Sequence, residues 1–256
     1  MASVQIFLYY FRIAIHIAIA LFKVLFCFRF WSAETRQREI RNWSTKALSL
    51  FEISVEVVDT RPHPRPPFLL VANHTSWLDI LVIQTHFEAV FVAKQDVRKW
   101  PAFGWIAERL GTVFVSRRQS QEISSHVTKL AQKLASGTSV CVFPEGTTSD
   151  GTAVLPFKCA LLQPAIDAGV PMQPLAIRYE HLDGNRASEV AFVGDMSLVQ
   201  SFNLLASGRS IHACLQILPV IATASATRRD LAEQAETAIR DALISVDNEP
   251  AEAHSS

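Results

Sequence analysis

From Val4 to Phe30 nearly every position is apolar, and most of the few polar side chains share one side. On a helix turning about 100° per residue, Gln5, Arg12, His16 and Lys23 fall within a stripe about 40° wide, with Arg29 off it. The run is long enough to cross a bilayer, which takes about 20 residues. A cationic stripe on a greasy helix also suits an interfacial position, its long side chains reaching the headgroups. The pattern favours membrane association over packing on the rest of the protein, and spanning versus lying flat stays open. The start lacks basic residues, Arg12 interrupts the run and no small-residue cleavage site follows, which disfavours a signal peptide.

A polar, basic stretch from Ser32 to about Leu50 reads as a second helix at the membrane surface. By the positive-inside rule, Arg36, Arg38 and Arg41 put the following domain on the cytoplasmic face of the inner membrane. The Pro-rich stretch Arg61–Pro67 is a stiff linker into the first core strand. Beyond it, short apolar runs alternate with amphipathic stretches of helix length. The pattern predicts strands at Phe68–Ala72, Ala89–Ala93, Thr112–Val115, Ser139–Phe143, Gln173–Tyr179, Glu189–Val193 and Ala213–Leu218. It predicts helices at about Leu78–Phe87, Trp100–Leu110, Gln121–Ser136 and Thr227–Val246, with Gly137 ending the third and Thr227 and Asp230 capping the last. The early strands are apolar on both faces, as in a sheet covered by helices on both sides. The expected fold is α/β, a mostly parallel central sheet flanked by helices, with N-terminal membrane-associated helices. Residues 1–50 form the membrane-associated segment, 51–246 the α/β domain, and 247–256 a disordered tail.

Composition narrows the function classes. Lys plus Arg equals Asp plus Glu at 24 each, so no polyanionic partner and no nucleic acid is indicated. Cys27, Cys141, Cys159 and Cys214 are widely spaced and read as free thiols. His63, His74, His86, His126, His181 and His212 form no H-E-x-x-H or other close set, so no metal is expected. A serine-nucleophile elbow and a phosphate-binding P-loop are both missing from the sequence.

The chemistry-bearing residues gather at the ends of predicted strands. Asn73-His74-Thr75-Ser76-Trp77-Leu78-Asp79 follows the first, Lys94 the second, Ser116-Arg117-Arg118 the third and Pro144-Glu145-Gly146-Thr147-Thr148 the fourth. In an open parallel sheet these carboxyl ends share one edge, where ligands bind. Inside one helix, His74 and Asp79 would sit about 140° apart. With His74 in the loop and Asp79 in the first turn, the carboxylate can reach back, fix the tautomer and leave a general base. Ser76 or Thr75 is then the candidate helix cap. The bland alternative is a capped helix with a satisfied histidine near its start.

These blocks resemble the 1-acylglycerol-3-phosphate acyltransferase family of glycerolipid acyltransferases, in order and spacing from about Phe68 to Tyr179. The resemblance implies His74 as base and Asp79 as its partner. Lys94, Trp100–Gly104 and Gly111–Arg117 are similar to the family's second block, where the arginine at 117 is tied to an acceptor phosphate, with Arg118 beside it. Phe143–Thr147 resembles the third block and implies acceptor binding by Glu145, Gly146 and Thr147. Val170-Pro171 followed by Gln173–Ala176 looks like the fourth. One position departs: where the family often has Glu-Gly-Thr-Arg, this chain has Glu145-Gly146-Thr147-Thr148, as in the branch of bacterial lyso-ornithine lipid acyltransferases. The implied activity moves an acyl group from an acyl carrier protein or coenzyme A thioester to a lysolipid hydroxyl, with no cofactor. The rival readings are a non-catalytic lipid-binding membrane protein and a hydrolase in which water replaces the acceptor.

Overall fold

A computed structural model of the chain describes residues 2–59, 67–115, 120–206 and 209–247. Most of the expected Pro-rich linker, Arg117, Arg118 and all but the first residue of the expected tail lie outside them. Helices α1 (Ala2–Phe22) and α2 (Ala33–Leu50) come first. Between them the ladder changes to a π turn at Lys23–Cys27 and a 3-10 turn at Phe28–Phe30. Ser32 starts α2, its hydroxyl accepting from the Thr35 N–H at 3.2 Å. The strands that follow are β1 (Ile53–Val58), β2 (Leu69–Ala72), β3 (Val90–Lys94), β4 (Val113–Val115), β5 (Val140–Val142), β6 (Met172–His181) and β7 (Ile211–Ile217). The helices among and after them are α3 (Leu78–Gln84), α4 (Phe103–Arg109), α5 (Ser120–Ala135), α6 (Gln163–Ala168), α7 (Leu198–Leu205) and α8 (Arg228–Asp247).

One sheet holds all of these strands in the order β1-β7-β6-β2-β5-β3-β4. The run from β6 to β4 is parallel, whereas β7 is antiparallel to β6 and β1 parallel to β7. The reversed pair therefore sits at one edge. At the centre, β2 is fully buried and sends alternate side chains to opposite faces. Leu70 and Ala72 join the core under α2, α3 and α7, while Leu69 and Val71 join the one under α5, α6 and α8. Burying each Leu or Val of β2 contributes about 1.5–3 kcal/mol.

The structure departs from the sequence pattern in several places. β1 was not among the expected strands, although Ile53, Val55 and Val57 alternate with Ser54 and Glu56 as a half-buried edge strand should. Glu189–Val193 is not a strand. Ser188–Val190 forms a 3-10 turn, and Val190 is buried against the core without pairing, since an apolar run signals burial more than sheet partnership. The short helices α6 and α7 were also unforeseen. The helix expected from Trp100 begins at Phe103, after a 3-10 turn at Gln95–Lys99. Gly104 lets the two elements touch: a Cβ there would lie 2.2 Å from the Arg98 carbonyl oxygen.

The cationic stripe of α1 is real in sequence but does not point as expected. His16 is buried, stacks on Trp43 of α2 at 4.8 Å and accepts that indole's N–H at its carbonyl oxygen, 3.2 Å away. Lys23 pairs with Glu39 at 2.6 Å. Two members of the stripe are thus turned onto α2, while Gln5 and Arg12 are exposed. The Tyr9 hydroxyl donates to the Phe202 carbonyl oxygen at 3.0 Å and fastens α1 to α7. Most of what α1 and the turns after it present outward is apolar, including Phe7, Phe11, Ile15, Phe22, Phe26 and Phe30, the last 72% exposed. The segment Val4–Phe30 is long and apolar enough to cross a membrane.

Candidate active site

The loop between β2 and α3 is built around one carboxylate. Asp79, in the first turn of α3, is completely buried. Its Oδ2 accepts from the Thr75 N–H (2.8 Å) and the Ser76 N–H (2.9 Å) and lies 2.8 Å from His74 Nδ1. Its Oδ1 accepts from the Tyr179 hydroxyl of β6 at 2.7 Å. The cap is therefore the reverse of the expectation. Neither Ser76 nor Thr75 caps α3; Asp79 reaches back from within the helix and takes both of their backbone N–H groups. Among the described residues the buried Ser76 hydroxyl has no hydrogen-bond partner. Burial raises the Tyr179 phenol well above its ordinary range, reinforced by the Asp79 charge, so it stays a donor.

An ionised carboxylate only accepts, so the proton between Asp79 and His74 belongs to Nδ1. That leaves the Nε2 lone pair as the basic atom. The ring stacks on Phe143 with centroids 4.0 Å apart, and its side chain is 18% exposed. Asn73 anchors the loop from below. Its side chain donates to the Ile177 carbonyl oxygen (2.9 Å) and accepts the Ile177 N–H (2.8 Å), completing the ladder between β2 and β6.

The adjacent loop after β5 grips the same histidine through its backbone. Glu145 is 2% exposed, with Oε1 accepting the His74 N–H at 2.6 Å and Oε2 the Leu155 N–H at 3.1 Å. Both oxygens are engaged inside the protein, although the family resemblance ties this residue to acceptor binding. Burial pushes the Glu145 carboxyl up to about 7, the two backbone N–H groups acting against that rise. Gly146 takes a positive φ of 67° to turn the chain here, and Thr147 beside it is half-buried. The Ser149 N–H donates to the His74 carbonyl oxygen at 2.8 Å. Thr148, standing where the family often has arginine, donates its hydroxyl to the Phe192 carbonyl oxygen. The Phe192 N–H in turn donates to the Thr75 carbonyl oxygen at 2.9 Å, so one residue of the 191–193 segment ties the two loops together.

Of the expected site residues, the structure brings His74, Asp79, Glu145, Gly146 and Thr147 to the ends of β2 and β5, which are neighbours in the sheet. Lys94 ends β3, on the other side of β5, and is exposed. Arg117 and Arg118 follow β4 outside the described residues. The Thr75 and Ser76 N–H groups near the start of α3 are held by Asp79 and are not available to an oxyanion. Tyr179 and Phe143 were not singled out from sequence. Both lay inside predicted strands, where nothing local distinguishes a side chain that touches the loop carrying His74 and Asp79.

An imidazole with one nitrogen locked on a carboxylate and the other free can take a proton from a hydroxyl or from water. On the carboxyl edge of a parallel sheet, that is the equipment of a base-assisted group-transfer enzyme. Comparison with known proteins narrows the class. Residues 54–178 match the family model described as Acyltransferase. A lyso-ornithine lipid O-acyltransferase of Pseudomonas aeruginosa is 37% identical over 209 residues, covering 82% of this chain and 80% of that protein. A 1-acyl-sn-glycerol-3-phosphate acyltransferase of Neisseria meningitidis is 37% identical over 161 residues, 62% of each chain. The crystal structure of the 1-acyl-sn-glycerophosphate acyltransferase of Thermotoga maritima covers 98% of both chains with a TM-score of 0.69 at 23% identity, a likeness of fold. This chain belongs to the acyltransferase family.

Proposed function

We propose that this enzyme transfers a fatty acyl group from a thioester, on acyl carrier protein or coenzyme A, to the free hydroxyl of a lysolipid. The acceptor we favour is 1-acyl-sn-glycerol-3-phosphate, giving phosphatidic acid. The observation that carries the reading is the His74–Asp79 pair, with its ring nitrogen set by a buried carboxylate. His74 Nε2 removes the acceptor's proton as the hydroxyl oxygen bonds to the thioester carbonyl carbon. The resulting oxyanion collapses, the carbon–sulfur bond breaks, and the thiolate takes the proton from the imidazolium. Base assistance of this kind is worth about 10²–10⁴-fold. Glu145 and Tyr179 act through other groups: Glu145 holds the His74 backbone and Tyr179 holds Asp79.

The outward apolar face of α1 supports membrane association, since a contiguous greasy surface of this extent marks a lipid or partner contact. We infer that the enzyme works on the cytoplasmic side of the membrane, as Arg36, Arg38 and Arg41 of α2 favour. A second acceptor, lyso-ornithine lipid, is favoured by Thr148 and by the names of the relatives from Pseudomonas aeruginosa and Brucella abortus.

The test offers a labelled acyl thioester with each lysolipid to wild type and to His74→Ala in detergent. Product with either acceptor, reduced by about 10²-fold or more in the variant, is expected. Folded wild-type protein that acylates no lysolipid would refute the transferase reading in favour of lipid binding. Release of free fatty acid regardless of acceptor would mark a hydrolase.

A further inference from the structure

A cavity of about 170 Å³ lies between the end of β6, the 150–154 loop and the last turns of α8. Asn73 and Thr75, the neighbours of His74, form part of its wall. Three arginines from separate elements line it: Arg178 from β6, Arg186 from the loop after it, and Arg240 from α8. None belongs to the four sequence blocks that drew attention to the active site. The strand alternation of β6 explains the placement. Ile177 and Tyr179 face the α3 side, where Tyr179 holds Asp79, so Arg178 faces α8.

On the cavity wall three guanidinium groups stand with one acid, Asp150, while Glu180 and Glu236 pair Arg178 and Arg240 from outside the wall. Arg178 is largely withdrawn from water, its side chain 16% exposed. Its Nε stands 2.8 Å from Glu180 Oε1, but the N–H does not point along that line, and among the described residues neither Nε nor Nη1 has a hydrogen-bond partner. Arg240 gives one nitrogen to Glu236. Asp150 is the acid on the cavity wall, and its Oδ1 is occupied by the Thr152 N–H and hydroxyl. Each guanidinium has five N–H donors in a fork that fits carboxylate or phosphate, so donors remain to be satisfied.

We propose that this cavity is an oxyanion-binding site, taking a phosphate or carboxylate group between Arg178, Arg186 and Arg240. It offers cationic recognition beside the loop whose position 148 holds threonine in place of arginine. An anion seated there braces the 149–152 segment against the base. The Ser149 N–H holds the His74 carbonyl oxygen, and a Cβ on Gly151 would lie 3.4 Å from Thr75 Cγ2. The anion is either the headgroup of the acceptor, an arm that rests on the proposed function, or a free anion bound independently of it.

Inorganic phosphate is the first probe, titrated into the full chain in detergent at constant ionic strength while thermal unfolding is followed. A saturable rise in midpoint is expected for wild type. Arg186→Gln and Arg240→Gln, both at exposed positions, should each weaken the apparent affinity by about tenfold or more, equivalent to about 1.4 kcal/mol. Arg178→Gln should weaken it further, and the two surface variants keep the test valid if that chain does not fold. No saturable rise, or the same rise in wild type and variants, overturns the site whatever the enzyme's activity. Acyl transfer then separates the sources. Phosphate competing with the lysolipid, together with a raised acceptor KM and unchanged kcat in Arg240→Gln, assigns the headgroup. Phosphate binding that leaves acceptor KM untouched, yet is lost in the variants, assigns a free anion.

Discussion

The loop after β2 and the loop after β5 each bury a carboxylate that holds backbone N–H groups, and they use it differently. Asp79 receives four donors, one of them the His74 ring and another a phenol from β6. Glu145 receives two, both backbone N–H groups, and its carboxyl is pushed up to about 7 by burial. The first carboxylate is wired to the proposed base. The second is wired to the chain that carries it. Two acids equally hidden from water thus divide orientation of the ring from placement of its backbone, and substitutions should separate the two tasks.

The largest effect is expected from Asp79→Ala, which removes the tautomer lock and frees two loop N–H groups. Its kcat should fall by about 10²–10⁴-fold, with a lowered melting temperature. Activity within tenfold of wild type would break the distinction at its stronger end. Glu145→Gln keeps shape but sets an amide NH₂ where a backbone N–H must be accepted. A loss of about tenfold, or about 1.4 kcal/mol, should appear in acyl-transfer rates. A loss as deep as that of Asp79→Ala would merge the two roles. Tyr179→Phe leaves Asp79 Oδ1 without its donor and should cost about 1–2 kcal/mol in chemical denaturation. Its kcat should drop several-fold with acceptor KM unchanged; an altered KM alone would contradict a role through Asp79.

The smallest effect concerns pH. The folded protein keeps the Glu145 proton up to about 7, whereas an unfolded chain releases it near 4.5. Between those values the native state binds more protons, so stability from this group falls as pH rises. The melting temperature of wild type relative to Glu145→Gln should therefore decline across that window and level off above it. A flat difference would show that burial does not shift this acid.

Much of this architecture can be read along the chain, for local reasons. β2 and β5 are short apolar runs buried on both faces, and the spacing of His74 and Asp79 lies within a single loop and turn. The partners that arrive from afar leave no such trace. Tyr179 meets Asp79 across 100 residues, and Phe192 clasps Thr75 and Thr148 from a segment that looked like a strand. The polar stripe of α1 shows why periodicity alone misleads. It put four residues on one face, yet His16 and Lys23 answer Trp43 and Glu39 of a second helix while Gln5 and Arg12 are exposed, which no count along the first helix can reveal. β1 was legible by its alternation but lay ahead of the stretch where strands were sought.

The reversed strand pair at the sheet's edge has a kinetic consequence. Ile53 of β1 lies opposite Ile211 of β7, and Tyr9 of α1 bonds to Phe202. During synthesis, residues 2–58 exist long before the segments that will receive them. The most apolar stretch of the chain must therefore wait, already made, while five parallel strands assemble without it. Contacts this distant close slowly, and exposed greasy helices aggregate while they wait. A bilayer that met α1 during that interval would shelter it until the last strands arrive, so the membrane contact proposed above would serve folding as well as activity.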